Sequence, residues 1–209
     1  MYAYLYRFLQ KLIYGTLKGT SSYPKEIEKL LSLKKYDEIY DVGGSDGYIL
    51  ETIYNIVSEK KINYFCYDID KVNILKGSKR YKNPNIKFII SSIDDIKVIS
   101  PKQKKRLFIF IGVFHHINDK QIKNFLAKLD SADDVLALDG FFHKGIHPIG
   151  FLLKKLDRGK YIRKYEEWEK LLANFTLTKR IGSYLKYFST VASTKGISKE
   201  ILEKVFFEN

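Results

Sequence analysis

The sequence predicts a doubly wound α/β sheet. Three observations carry that prediction. Ile86–Ile90 and Leu107–Ile111 are short, nearly continuous apolar runs, as found in strands of a parallel sheet covered on both faces. Segments of helical period separate such runs along the chain. A glycine cluster, Gly43-Gly44-Ser45-Asp46-Gly47, ends the first run at the point where the period changes. Strands alternating with helices at this spacing mean βαβ units.

The elements follow in order. Tyr4, Leu5, Phe8, Leu9, Leu12 and Ile13 recur at helical spacing, so residues 2–14 are expected to form an amphipathic helix. Pro24 opens a second helix with Ile27, Leu30 and Leu31 on one face. Glu38–Val42 is the first strand. After the glycines, Ile49, Leu50, Ile53, Ile56 and Val57 resume the helical period. Asn63–Tyr67, closed by Asp68, is the second strand, with a helix from about Asp70 to Tyr81. Ile86–Ile90 and Leu107–Ile111 are the third and fourth strands. Asn118 and Gln121 make a capping-box pattern for a helix running to about Leu129. Val135–Leu138 is the fifth strand. In the tail, Ile149–Leu156 and Glu166–Leu172 read as helices, Phe175–Ile181 and Tyr187–Ala192 as an antiparallel pair, and Ser198 as the cap of a last helix.

Composition narrows the class. The 209 residues are 45% hydrophobic and 29% charged, an ordinary globular balance that argues against disorder. A lone Cys66 excludes an intramolecular disulfide framework and a cysteine-built zinc site. The apolar runs are too short to span a bilayer, and Arg7 and Lys11 within the N-terminal run argue against a signal peptide, so a cytoplasmic protein is expected. The net charge of +13 is uneven: +5 in residues 1–36, +2 in 37–150 and +6 in 151–209. The near-neutral middle is the expected binding core. The flanks suit an anionic partner, or are simply a solvated lysine-rich surface.

In open α/β sheets, ligands sit outside the carboxyl ends of the strands. The first such end is Asp41-Val42-Gly43-Gly44-Ser45-Asp46-Gly47. A nicotinamide-type Gly-x-Gly-x-x-Gly would need glycines at 43, 45 and 48, where Ser45 and Tyr48 stand, so that reading fails. An acidic residue ahead of the glycines points instead to a cationic or amino-bearing ligand.

Asp41-x-Gly43-x-Ser45-x-Gly47 resembles motif I of the class I S-adenosylmethionine-dependent methyltransferases. Four further stretches fall in order: Tyr67-Asp68-Ile69-Asp70, Phe88 to Asp95, Leu107 to Ile117 with its paired histidines, and Asp157 to Arg163. Together they resemble the small-molecule (type 11/12-like) branch, and within it a bacterial and archaeal subgroup, over about residues 37–195. The resemblance implies a Rossmann-like seven-stranded sheet of order 3-2-1-4-5-7-6 with the last strand antiparallel. It implies one methyltransferase domain over 37–209 with residues 1–36 as a helical cap or lid.

It also implies roles. Asp41, Gly43, Gly44, Ser45 and Gly47 would hold the methionine end of S-adenosylmethionine, and Asp68 the ribose hydroxyls. Ile69 and Ile93 would sandwich the adenine, Ser92 would accept its amino group, and Gly112 and Val113 would line the methionine arm. S-adenosylhomocysteine is then the product, and no metal is needed. His115, His116 and His143 are candidate bases, a neutral imidazole being able to take a proton near neutral pH. The competing reading of the pair is structural. Arg158, Lys160 and Arg163 would read an acidic group on a small acceptor, or are solvated surface. Trp168 and Cys66 are expected in the core. Two departures from the family pattern, Ser45 and Ser92, leave an inactive binding protein as one alternative, and the basic flanks leave an RNA methyltransferase as another.

Overall fold

Apolar side chains on both sides of a strand can be buried only between two layers, and the central strands here have that character. In a computed structural model, which describes residues 23–98, 104–141, 159–181 and 189–206, β1 (Glu38–Val42) is buried at every position. β4 (Arg106–Ile111) and β5 (Asp134–Gly140) are buried along nearly all of their lengths. With β2 (Asn63–Asp68), β3 (Ile86–Ile90), β6 (Thr176–Ile181) and β7 (Ser189–Lys195) they form one sheet in the order β3-β2-β1-β4-β5-β7-β6. β1 pairs in parallel with β2 and β4, and β7 runs antiparallel to both β5 and β6.

Alternation along the strands feeds two cores. Ile39, Leu107, Ile109, Leu136 and Leu138 face α1 (Tyr23–Leu33), α2 (Tyr48–Glu59) and α6 (Lys199–Phe206). Tyr40, Val42, Phe108, Phe110, Val135 and Ala137 face α4 (Asp119–Leu126) and α5 (Tyr165–Leu171), where Trp168 is fully buried. Each fully buried Leu, Ile or Phe contributes about 1.5–3 kcal/mol relative to exposure. The part of the expected cap that lies within the described residues, α1, packs Ile27, Leu30 and Leu31 into the first core beside α2 and α6. The expected helices over 2–14 and 149–156 lie outside the described residues.

Local signals explain the helix ends. Asp70 accepts from the backbone N–H of Val72 (2.9 Å) and Asn73 (3.2 Å), opening α3 (Lys71–Arg80). Asn118 and Gln121 form the expected capping box of α4. Ser198 Oγ accepts from the Ile201 N–H at 3.3 Å at the start of α6. The helix after β4 ends at Leu126 instead of the expected Leu129, the chain turning there through short bonds from Lys128 and Leu129 back to Phe125 and Leu126.

Candidate active site

The carboxyl ends of β1, β2 and β4 come together, and backbone bonds bind their loops. The Gly43 and Gly44 N–H groups both donate to Tyr67 O, at 2.7 and 3.2 Å. Ser45 N–H donates to Asp68 Oδ2 at 2.9 Å, and Asp70 N–H donates to Asp68 Oδ1 at 2.8 Å. Asp68 therefore latches the turn after β1 to the turn after β2. Gly43 abuts Val113 of the β4 loop, whose Cγ1 would lie 3.4 Å from a Cβ at position 43. Three loops thus share one site.

Ser45 occupies a left-handed conformation (φ 55°), as Gly43 (78°) and Gly47 (89°) do. A glycine would occupy that region without strain, so the departure from the family pattern has a measurable cost. Ser45→Gly relieves about 1–2 kcal/mol of left-handed strain and gives back about 0.4–1 in unfolded-chain entropy. A net gain of about 0.5–1 kcal/mol is expected in urea unfolding, and a loss of stability would refute it.

Asp41 lies under the turn instead of facing the cleft. It is 2% exposed, accepts a short hydrogen bond from the Tyr64 hydroxyl, and sits directly beneath Gly44. Burial is the main cause that raises its carboxyl from the ordinary 3.8 to about 6; the Tyr64 bond opposes the rise and the charge on Asp68 adds to it. The raised value means the fold prefers the protonated acid. Its contribution to stability is complete below about pH 4 and is lost as the pH rises through about 6. Relative to Asp41→Asn, the wild type should lose about 2–2.5 kcal/mol between pH 4 and 7. Unfolding curves at stepped pH check this; parallel dependence in the two proteins would contradict it.

The loop after β3 offers an acceptor. Ser92 Oγ donates to Asp95 Oδ2 at 2.6 Å, so its proton is committed and its lone pairs are what it presents. Asp94 is tied to α4 by Gln121 Nε2 at 2.6 Å. Ile69 is 76% exposed, whereas Ile93 is turned inward among Tyr67 and Ile96. The two isoleucines expected to share one role thus differ sharply in exposure.

At the end of β4 the paired histidines also differ. His115 is buried and His116 exposed, with ring centroids 4.0 Å apart. His115 Nδ1 lies 2.7 Å from Asp139 Oδ1, and the His115 backbone N–H donates to Asp139 Oδ2 at 3.1 Å. A carboxylate there holds the proton on Nδ1 and leaves Nε2 as the basic nitrogen. His115 Cε1 faces Gly112, at 3.6 Å from the position a Cβ would take. Asp139 belongs to no motif in the sequence; its place one residue from the end of a strand is the signal the sequence holds for it. His143 and Arg158 lie outside the described residues. Lys160 is exposed. Arg163 is not a surface cation: it is 5% exposed and its guanidinium is turned onto Asp119 and backbone carbonyls. That geometry removes it from the set expected to meet an acceptor. Trp168 and Cys66 are in the core as expected.

No family model and no curated protein matches the sequence. Solved structures do match its fold. Human N-acetylserotonin methyltransferase, solved in complex with SAM, aligns with a TM-score of 0.60 at 13% identity, over 94% of this chain and 57% of that one. A putative O-methyltransferase from Nostoc punctiforme gives 0.61 at 12% identity, over 83% and 56%. The putative methyltransferase in a complex with the Haloferax volcanii Trm112 activator gives 0.60 at 10% identity, over 82% and 87%. The chain spans little more than half the length of the first two. At such identities the likeness is one of fold: a Rossmann-like α/β sheet of the kind these proteins have. Among the described residues, no helix is long and apolar enough to cross a membrane.

Proposed function

We propose that the chain binds S-adenosylmethionine at the carboxyl ends of β1 and β2 and transfers its methyl group to a small-molecule acceptor. The observation that carries this reading is Asp68. A carboxylate has about four lone-pair sites, and the two backbone N–H groups on it take one site on each oxygen. One acceptor site per oxygen remains, which matches the two neighbouring hydroxyls of a ribose. Ser92 Oγ, with its own proton committed, suits an adenine amino group. Exposed Ile69, next in the chain to Asp68, offers an apolar face. The fold shared with proteins described as methyltransferases agrees with this reading, although fold alone does not decide function.

The donor supplies an activated methyl group on a sulfonium, so what the chain must add is alignment, exclusion of water and, for a hydroxyl or similar acceptor, removal of a proton. His115 is the base: Asp139 fixes its Nδ1 tautomer, the acceptor's proton passes to Nε2, and Asp139 stabilises the resulting imidazolium. With Arg163 turned inward, Lys160 is the described cation of its segment left to meet an anionic group on the acceptor.

Calorimetric titration with S-adenosylmethionine and S-adenosylhomocysteine tests the cofactor. Wild type should bind both, and Asp68→Ala should weaken binding by about 100-fold, the loss of two charge-assisted hydrogen bonds. No binding by wild type would end the reading. Unchanged binding by Asp68→Ala would move the ribose elsewhere.

A further inference from the structure

The segment Gly159–Arg163 lies outside the proposed cofactor site, yet its contacts converge on one turn, Phe114–His116, which carries the histidines. Arg163 Nη1 donates to Phe114 O at 2.7 Å and to Tyr161 O at 3.0 Å. Its Nη2 donates to Ile117 O at 2.8 Å. Nε and Nη2 both reach Asp119 Oδ1, at 2.9 and 2.7 Å. One planar cation thus grips the chain on both sides of His115 and His116. Trp168 backs the guanidinium, its ring centroid 5.1 Å from Cζ.

The same segment touches His115 itself. Tyr161 N–H donates to His115 O at 2.9 Å. Gly159 lies against the ring: a Cβ there would stand 2.9 Å from His115 O and 3.0 Å from Cγ, and would overlap Cδ2. Asp139 holds Nδ1 on one edge of the ring, and Gly159 packs against Cδ2 on the other. The cost of burying the guanidinium is poorly offset by its one carboxylate, since the Asp119 side chain is 63% exposed. The arrangement is better matched to geometry than to stability.

We propose that Arg163, with the backbone of Gly159 and Tyr161, is a positioning clamp that holds the His115 ring in the plane in which Asp139 fixes its tautomer. Its significance for catalysis rests on the reading of His115 as the base. Arginine suits this role: two separate nitrogens, Nη1 and Nη2, reach the carbonyls on the two sides of the turn, a spread that the single nitrogen of a lysine does not match.

Nitrogen-15 imidazole spectra of histidine-labelled protein test it, four histidines being few enough to assign with His115→Gln. The wild-type His115 ring is expected to show one tautomer, with the proton on Nδ1. In Arg163→Gln and Arg163→Lys the two nitrogen signals should move toward averaged tautomers. Gly159→Ala should shift them by displacing the ring. Asp119→Asn, which keeps the carbonyl contacts, should leave them in place. S-adenosylhomocysteine affinity should stay within about twofold in all four, because none of these residues belongs to the proposed cofactor site.

The clamp is overturned by Arg163→Gln and Gly159→Ala spectra that superimpose on wild type at His115, even if melting falls. A wild-type ring that already averages its tautomers overturns it too. Where Arg163→Gln does not fold, Gly159→Ala decides alone. The base reading fails separately, if His115→Gln transfers methyl groups as fast as wild type instead of about 10²–10⁴-fold slower.

Discussion

Replacing Arg106 with glutamine is expected to cost about 3–5 kcal/mol of folding free energy. Arg106 is 2% exposed and forms a two-pronged pair with Asp133, Nε to Oδ1 at 2.6 Å and Nη2 to Oδ2 at 2.7 Å. Asp133 is itself 1% exposed, and the Asp130 N–H on its Oδ2 (2.8 Å) cannot balance a full negative charge. Removing the cation strands that charge away from water, which is the costly half of breaking a buried pair. For a chain of this length the melting temperature should fall by about 6–20 °C. Adding Asp133→Asn to Arg106→Gln should recover part of the loss, since the uncompensated charge is then gone. Urea unfolding of the three variants checks both statements, and a loss below about 1 kcal/mol for the single variant would show that water reaches Asp133. Arg106 starts β4, opposite Glu38 at the start of β1, so the folded variant should still bind cofactor normally.

Gly44→Ala is expected to weaken cofactor binding strongly by displacing the turn after β1. A methyl group at position 44 would lie 2.6 Å from Asp41 Cγ and 2.6 Å from Cys66 Sγ. Neither neighbour can yield: Asp41 is bonded to Tyr64, and Cys66 is fully buried within β2. The turn must therefore lift, and that draws the Ser45 N–H away from Asp68. Overpacking should cost about 1–3 kcal/mol of stability. The affinity for S-adenosylhomocysteine should fall by about 100-fold or more as the hydroxyl acceptors lose their orientation. Calorimetry on the folded variant measures it; wild-type affinity would mean that the turn does not shape the site.

What could be read from the sequence follows from which interactions are local. β3 coincides with its apolar run, and β1 with a β-branched and aromatic run that the glycine cluster closes. The capping residues Asp70 and Asn118 act over two or three positions, and their spacing announces them. β5 is longer than its apolar run because Asp134 and Asp139 are buried in it. Their partners, Tyr36 and His115, are distant in sequence, so the pattern breaks where the strand does not. The strand order likewise came from family resemblance, since periodicity says nothing about neighbours. In the site, the glycine turn and Asp68 lie in contiguous motifs, so their position at the strand ends is legible in the sequence, while their roles are what the resemblance implies. Arg163 looked like surface because charge usually is. Its acceptors are carbonyls 46 and 49 residues away, and a backbone oxygen leaves no mark in composition.

The latch formed by Asp68 has a thermodynamic side. Because one carboxylate already joins the turns after β1 and β2, the conformational entropy of those turns is surrendered during folding and not on ligand contact. A ligand arriving there meets a surface already in its final shape, so association should be limited by diffusion and orientation, with no slow ordering phase. The heat-capacity change of binding should then report chiefly the covering of apolar surface such as Ile69, and little coupled folding.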